Sequence, residues 1–378
     1  MLKFDLNEYL KELELLVNID SGSRVPGGTA KIADYFENKY RNLGLEVKRF
    51  VTNDFGAPML QVRNRPENDH LDLLFLGHMD TVFPEGEAER RPFRQDGEFA
   101  YGPGVADMKA GLLSTYYLIK ALMEEGIDAS FCVLMNSDEE ISSVDSQEWI
   151  KEMASLSDVT FIMEPGRKNG AYVNERKGLA RYRVEVRGVA AHAGIAPQDG
   201  ANAINEVAYM TLQMEALNNY EIGTSVNVGK ISGGTAANVV CDFVECMVDT
   251  RFDDIEEHHK IEETFRSFVE NPRNPRTTVT ITREGFRPPM RKTEKTEALI
   301  QLMNEKGAAL GIDMKWVKTG GGSDGNFAAF AGSTVIDGAG PVGDGAHSIK
   351  ETLKIDTIEP RLRVLYETVL TLIKQKKG

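Results

Sequence analysis

Three nearly continuous apolar runs, residues 73–76, 131–135 and 159–163, each end abruptly in acidic or imidazole side chains. Such runs read as strands covered on both faces, because a half-exposed strand alternates apolar and polar residues instead. Strands of this kind require helices on either side, and the intervening segments supply them. Leu10, Leu13 and Val17 recur at helical spacing, as do Ile32, Phe36, Tyr40 and Leu43 before Gly44. Residues 109–125 and 146–153 give further helices, while residues 45–52 and 59–64 alternate like flanking strands. The pattern predicts an α/β domain with helices on both faces of its sheet.

From Gly178 the pattern changes. Strand 181–187, helix 201–217, strands 224–232 and 239–251, helix 255–269 and strand 277–282 follow in the order β-α-β-β-α-β. This is the order of a ferredoxin-like module of about a hundred residues, and Arg287-Pro288-Pro289 closes it. Elements resume over residues 296–310, 334–336 and 358–374. The expected organisation is a discontinuous domain, residues 1–177 and 286–378, interrupted by an inserted domain, residues 178–285. A length of 378 residues agrees with two cores, since single cores tend to split above about 250–300 residues.

Lys and Arg total 44 against 58 Asp and Glu, a net charge of −14. That sign repels phosphate backbones and anionic lipid, so neither nucleic acid nor a membrane is an expected partner. The N-terminus carries charges throughout and no 18-residue apolar run occurs, which predicts a cytoplasmic protein. Cys132, Cys241 and Cys246 lie among strand-like residues without Cys-x-x-Cys spacing, as buried free thiols would.

In open α/β sheets ligands bind beyond the carboxyl ends of the strands. Here those ends carry Gly77-His78-Met79-Asp80, then Asp138-Glu139-Glu140, then Glu164. Gathered in one place, these carboxylates are costly unless cations neutralise them. A metal site is the economical reading, and solvated loop residues are the alternative. Asp107, after Gly102-Pro103-Gly104, is placed as a helix N-cap or a ligand. His347 is a second imidazole candidate. Two His with several carboxylates suit zinc, and a pair of metals about 3.5–4 Å apart sharing a hydroxide is one arrangement such a set can hold.

The motifs Gly77-His78-Met79-Asp80-Thr81-Val82, Gly102-Pro103-Gly104 through Asp107-Met108-Lys109, Asp138-Glu139-Glu140, Glu164-Pro165, residues 188–194 with His192, and Gly345-Ala346-His347-Ser348 follow one another in a known order. In this the chain resembles the aminoacylase and glutamate-carboxypeptidase family of two-zinc hydrolases, which includes acetylornithine deacetylase and succinyl-diaminopimelate desuccinylase. The resemblance spans roughly residues 8 to 372. The AYGPG and GGGSD segments are most similar to the folate-hydrolysing carboxypeptidase G subgroup.

The resemblance implies a zinc-exopeptidase-like mixed sheet with helices on both faces, and a ferredoxin-like insert acting as lid and dimerisation domain. It implies two Zn²⁺ per subunit, with Co²⁺ or Mn²⁺ tolerated by the same ligands. Asp107 would bridge both metals, His78 and Glu164 completing one site and Glu140 and His347 the other. Asp80 would orient His78, and Glu139 would act as general base and acid on a metal-bridging water. A cis peptide would follow Asp107. His192 would reach the partner subunit's active site and hydrogen-bond the oxyanion.

By the same resemblance, Asn238 and Arg251 match lid positions that hold the substrate's carboxylate in the carboxypeptidase subgroup. Gly321, Gly322 and Ser323 would offer an anion nest, or else form a plain tight turn. Glu at position 164 is similar to the family's carboxypeptidase and acylase branch, which implies release of an amino acid with a free carboxylate, Glu or Asp, from a peptide or N-acyl substrate. The alternatives are an N-acyl-amino-acid deacylase and a non-catalytic binding protein on the same scaffold. Ser142 stands where the family usually has Gly. Finally, His70, His258 and His259 lie in highly charged stretches and are expected at the surface.

Overall fold

Leu73 and Phe75 point to one side of their strand and Leu74 and Leu76 to the other, and both sides are packed. On one side they meet helices Leu6–Val17, Gly28–Asn42, Ala110–Glu124 and Ile358–Lys376. On the other they meet helices Gln147–Ser155 and Gly325–Phe330 through Ile150 and Phe327. Each such side chain, taken fully out of water, contributes roughly 1.5–3 kcal/mol. The uninterrupted apolar runs are therefore the direct imprint of two cores on one sheet.

The computed structural model describes residues 2–25, 27–51 and 57–376. Thr52, at the end of the first expected strand, lies outside the described residues. The chain divides into two compact units, the first made of Met1–Glu175, Met290–Thr319 and Ser323–Gly378, the second of Arg176–Pro289 with Gly320–Gly322.

In the first unit a six-stranded mixed sheet runs in the order Glu46–Val51, Pro58–Arg63, Phe131–Asn136, Leu71–His78, Ser157–Ile162, Thr334–Ile336. The pairs joining Leu71–His78 to Phe131–Asn136 and to Ser157–Ile162 are parallel, with His78 opposite Asn136 and Leu76 opposite Ile162. This register is what puts His78, the segment after Asn136 and the segment after Ile162 at one edge. Helix Leu6–Val17 begins at Asp5, whose carboxylate accepts from the N–H groups of Asn7 and Glu8.

The second unit is an antiparallel sheet in the order Ser225–Gly233, Phe243–Phe252, Gly178–Arg187, Thr278–Arg287, with helices Ala203–Glu215 and Ile255–Glu270. Strand Phe243–Phe252 alternates between buried and half-buried positions, as one covered face requires. Cys241 and Cys246 lie in this core and Cys132 in the first unit, all three free and buried. Among the described residues no helix is long and apolar enough to cross a membrane.

One surface expectation fails. His70 and His259 are exposed, but His258 is buried, stacked on Phe252 (centroids 4.9 Å apart) and against Phe286 (4.7 Å). Helix Ile255–Glu270 turns His258 inward with Ile261, Phe265 and Phe268, and this face outweighs the charged neighbourhood that suggested exposure. Burial lowers the imidazole to about 4; Glu262 opposes the shift, while Arg283 and His259 add to it. The folded state thus binds a proton less readily than the unfolded chain, whose imidazole titrates near about 6.5. The stabilisation is complete above that pH and drains away as pH falls toward 4. Thermal unfolding followed from pH 7 to 4.5 should show a falling midpoint, with a shallower fall for His258→Phe. Equal slopes would rule out His258 as a source of the acid sensitivity.

Candidate metal centre

His78 closes its strand with its ring buried and Nδ1 2.9 Å from the carbonyl oxygen of Asp80. With Nδ1–H donated there, Nε2 is the nitrogen that faces the carboxylates. Nε2 lies 3.1 Å from Oδ1 of Asp107 and 3.4 Å from Oε1 of Glu164. The other Asp107 oxygen, Oδ2, is 3.3 Å from Nε2 of His347, and that nitrogen is 3.0 Å from Oε2 of Glu140. Asp107 therefore stands between two imidazoles, one oxygen toward each. Glu139 joins the same cluster: potential ligand atoms of His78, Glu139 and Glu164 lie within 4.8 Å of one another, as do those of His78, Asp107 and Glu140.

Local structure holds each group in place. A Cβ on Gly77 would come 2.6 Å from Cε of Met108 and 2.8 Å from Cδ2 of Leu112, so a larger residue there would displace these two side-chain ends behind the Asp107 turn. The Asp107–Met108 peptide is cis. Glu351, buried beneath that turn, accepts from the N–H groups of Gly104 (2.9 Å), Ala106 (2.9 Å) and Asp107 (3.0 Å). Burial pushes its carboxyl up to about 7, against the lowering effect of these three donors. The carboxylate of Asp80 lies 3.4 Å from Nδ1 of His78, farther than its backbone carbonyl. That carboxylate also accepts from Oγ of Ser23 (2.6 Å) and from the backbone N–H of Glu139 (3.3 Å) and Glu140 (3.2 Å).

Asp138, the first acid of its motif, turns away from the cluster to accept from the N–H groups of Asp145 and Ser146 and from the Ser146 hydroxyl. Ser142 has φ 78°, the left-handed conformation that glycine adopts freely, and His347 has φ 62°. Ser23 and Glu351 were missed from sequence. Ser23 precedes Asp80 by 57 positions and Glu351 follows Asp107 by 244, so no local pattern could pair them.

The electrostatics test whether this donor set suits a cation. Burial alone would lower His78, yet Asp107, Asp80 and Glu164 hold it well above the usual imidazole range. Hydrogen bonds that its ring donates to Asp107 and Glu140 raise His347 to about 11, against the lowering effect of burial. Burial raises Glu164 to about 7 and lifts Glu140. Despite its own burial, Asp107 is kept well below the carboxylate range by His347 and His78. The two imidazoles thus lend protons to a set of buried carboxylates. Nitrogen and oxygen donors in this proportion suit divalent first-row cations, which supply the missing charge.

The model of peptidase family M20/M25/M40 matches residues 74–371, which include every residue of this cluster. The chain belongs to that family. It is accordingly a hydrolase acting on peptide or amide bonds, and divalent metals are what M20 metallopeptidases use. Carboxypeptidase G2 of Pseudomonas sp. (strain RS-16) is 30% identical over 371 residues, covering 96% of this chain and 89% of that protein. Succinyl-diaminopimelate desuccinylase of Delftia acidovorans is 27% identical over 358 residues, covering 85% and 89%. Among solved structures, an M20 family metallo-carboxypeptidase from Sulfolobus solfataricus superposes with a TM-score of 0.77 at 18% identity, covering 98% of this chain and 100% of that one. At that identity the likeness speaks for the shared fold.

The remaining candidates divide into three places. His192 and Asn238 are neighbours at one end of the second unit: His192 bridges Val239, and the N–H of Ala193 donates to the carbonyl of Asn238 (2.9 Å). Both are exposed. Arg251 sits near the opposite end of strand Phe243–Phe252, about 26 Å from Phe243 along eight residues of extended chain. Its guanidinium is held bidentately by Asp249 (2.7 and 2.9 Å) and donates to the carbonyl of Gly320 (2.9 Å), while Arg176 donates to the carbonyl of Gly321 (3.0 Å). Gly321 and Gly322 thus gather with Arg251 and Arg176 in the second unit. Ser323 belongs to the first unit, where it is buried and its hydroxyl is given to Asp337. That contact commits the Ser323 side chain to the core.

Proposed function

We propose that the chain is a two-zinc carboxypeptidase that cleaves a peptide or N-acyl amide bond and releases an amino acid with a free carboxylate, Glu or Asp. The observation that carries this reading is the position of Asp107, with Oδ1 3.1 Å from His78 and Oδ2 3.3 Å from His347. One carboxylate facing two imidazoles is the geometry a bridging ligand needs. His78 and Glu164 would then hold one cation, and Glu140 and His347 the other. When bound, such cations lower the pKa of water and polarise a carbonyl; Co²⁺ and Mn²⁺ suit the same donors.

The chain's own groups supply the rest. The Glu139 carboxylate takes the proton of the attacking water and returns it to the departing nitrogen, its backbone pinned to Asp80. Nε2 of His192 donates to the developing oxyanion. Arg251, with the N–H groups of Gly321 and Gly322, receives the carboxylate of the leaving amino acid, and Asn238 assists.

In one copy His192 and Asn238 lie near the Phe243 end of the strand that carries Arg251 near its other end, which supports their acting on the partner subunit's substrate. An interface is also at hand. Strand Ser225–Gly233 is a sheet edge, Ile231 on it is 55% exposed, and helix Ala203–Glu215 presents Ile204 (49%) and Leu212 (69%) on one face. A two-fold homodimer through this face covers them. The three buried free cysteines support action in the reducing cytoplasm.

The desuccinylase relatives favour one alternative, an N-acyl-amino-acid deacylase selecting the acyl group. A panel of peptidyl- and folyl-glutamates against acetylated apolar amino acids, run on metal-analysed protein, separates the two. Clear preference for the acetylated apolar substrates would overturn the first reading, and metal-loaded protein inert toward all of them would overturn both.

A further inference from the structure

Arg361, on helix Ile358–Lys376, is buried, and among the described residues no carboxylate pairs with it. Its guanidinium donates to main-chain carbonyls alone: Nε to Gly340 (2.5 Å), Nη1 to Gly170 (2.8 Å) and Nη2 to Gly338. Its central carbon lies 3.7 Å from the centroid of the Tyr172 ring. A buried charge without a counter-charge is costly, so the placement of these carbonyls has to matter elsewhere in the fold.

The carbonyls belong to the two stretches that frame Glu164. Beside it runs Gly338-Ala339-Gly340, where the N–H of Ala339 donates to the carbonyl of Ile162 (3.0 Å) and the N–H of Gly340 to the carbonyl of Glu164 itself (2.9 Å). A Cβ on Gly340 would come 2.5 Å from the carbonyl oxygen of Met163 and 2.9 Å from that of Glu164, so glycine lets the two backbones lie this close. The same lack of side chains leaves the stretch with the widest backbone freedom, and Gly338 stands at φ 61°. After Glu164-Pro165-Gly166, the chain turns at Gly170, whose N–H donates to the carbonyl of Arg167 (2.6 Å). One planar fork thus fixes both the segment beside Glu164 and the turn that follows it.

We propose that Arg361 is a positioning residue that, by holding Gly338, Gly340 and Gly170, aims the Glu164 carboxylate at a cation shared with His78. The inference rests on the proposed two-cation centre, in which Glu164 Oε1 stands 3.4 Å from Nε2 of His78. Arg361 makes no hydrogen bond to the segments that carry Glu140 and His347. Its loss should therefore weaken one cation and spare the other.

The test is a zinc-binding isotherm of the full chain in chelator-buffered Zn²⁺, compared with Arg361→Lys, Glu164→Gln and the double variant. Lys keeps the charge but is a point donor that cannot span three carbonyls. In Arg361→Lys we expect one zinc equivalent to bind about tenfold more weakly, the effect usual for groups that orient a metal ligand, and the other to stay within about twofold. The equivalent that Glu164→Gln retains should be held equally well in the double variant. Thermal unfolding of the metal-free chains reports any loss of fold separately, and Arg361→Gln serves if the lysine variant does not fold.

Both equivalents weakened together, neither weakened, or a further loss in the double variant overturns the assignment and makes Arg361 a support of the fold alone. If Glu164→Gln retains no zinc, the single variant decides by whether one step of its isotherm moves or both. An unmodified chain that takes up one zinc sinks the two-cation reading by itself; Arg361→Lys must then still weaken that zinc, or the assignment falls too. A chain that binds none sinks both.

Discussion

Glu139→Gln should lower kcat by about a thousandfold, the middle of the range for general acid–base catalysis, while bound metal per chain stays the same. Glu139 is half-buried in the cluster, yet the ligand geometry around Asp107 is complete without it: His78, His347, Glu140 and Glu164 each approach one another or Asp107 within 3.4 Å. Gln keeps the size and the backbone contact to Asp80 and removes only the ability to take up a proton. Loss of metal together with activity would instead make Glu139 a ligand, and near-normal turnover would remove it from the mechanism. The pairing of kcat with metal analysis distinguishes these outcomes in one preparation.

The second large effect concerns His192. His192→Ala should lose about a hundredfold or more in kcat, as loss of an oxyanion donor does, and the loss should be recoverable by mixing. Glu139→Gln and His192→Ala chains, each nearly inactive, should regain about a quarter of normal activity once subunits exchange. Half of randomly reassorted dimers are hybrids, and each hybrid has one intact site of two. That site joins Glu139 of the His192→Ala chain to His192 of the partner subunit. Differently tagged chains report hybrid formation directly. Hybrids that form without recovering activity would mean that His192 serves its own chain or no site at all.

The metal-centre residues were legible because each follows a local signal. An apolar strand covered on both faces ends where its side chains stop being apolar, so His78, Glu140 and Glu164 announced themselves at strand ends. Asp107 and His347 stood out by their glycine-rich surroundings. Less was legible where a side chain's fate depends on what packs over it. His258 sits among Glu256, Glu257 and Glu262 in sequence, but three-dimensional packing sets it against Phe252 and Phe286. Ser323 stands in a glycine-rich loop and still reaches Asp337 in the core. The two-stranded sheet of Tyr172–Arg176 with Trp316–Thr319 went unread because its strands are short and distant in sequence.

The sequence by itself determined the layered α/β architecture, the interrupting β-α-β-β-α-β module and the set of side chains able to bind metal. All three depend on periodicity or on the identity of neighbouring residues, which a linear chain records. Only the tertiary structure decided that Asp107 stands between His78 and His347, that Glu351 gathers three N–H groups beneath it, and that Ser23 and Asp80 together pin the Glu139–Glu140 turn. These are relations between segments tens to hundreds of residues apart. Directional contacts of about 3 Å are set by strand register and core packing, and neither is written in any one stretch of sequence.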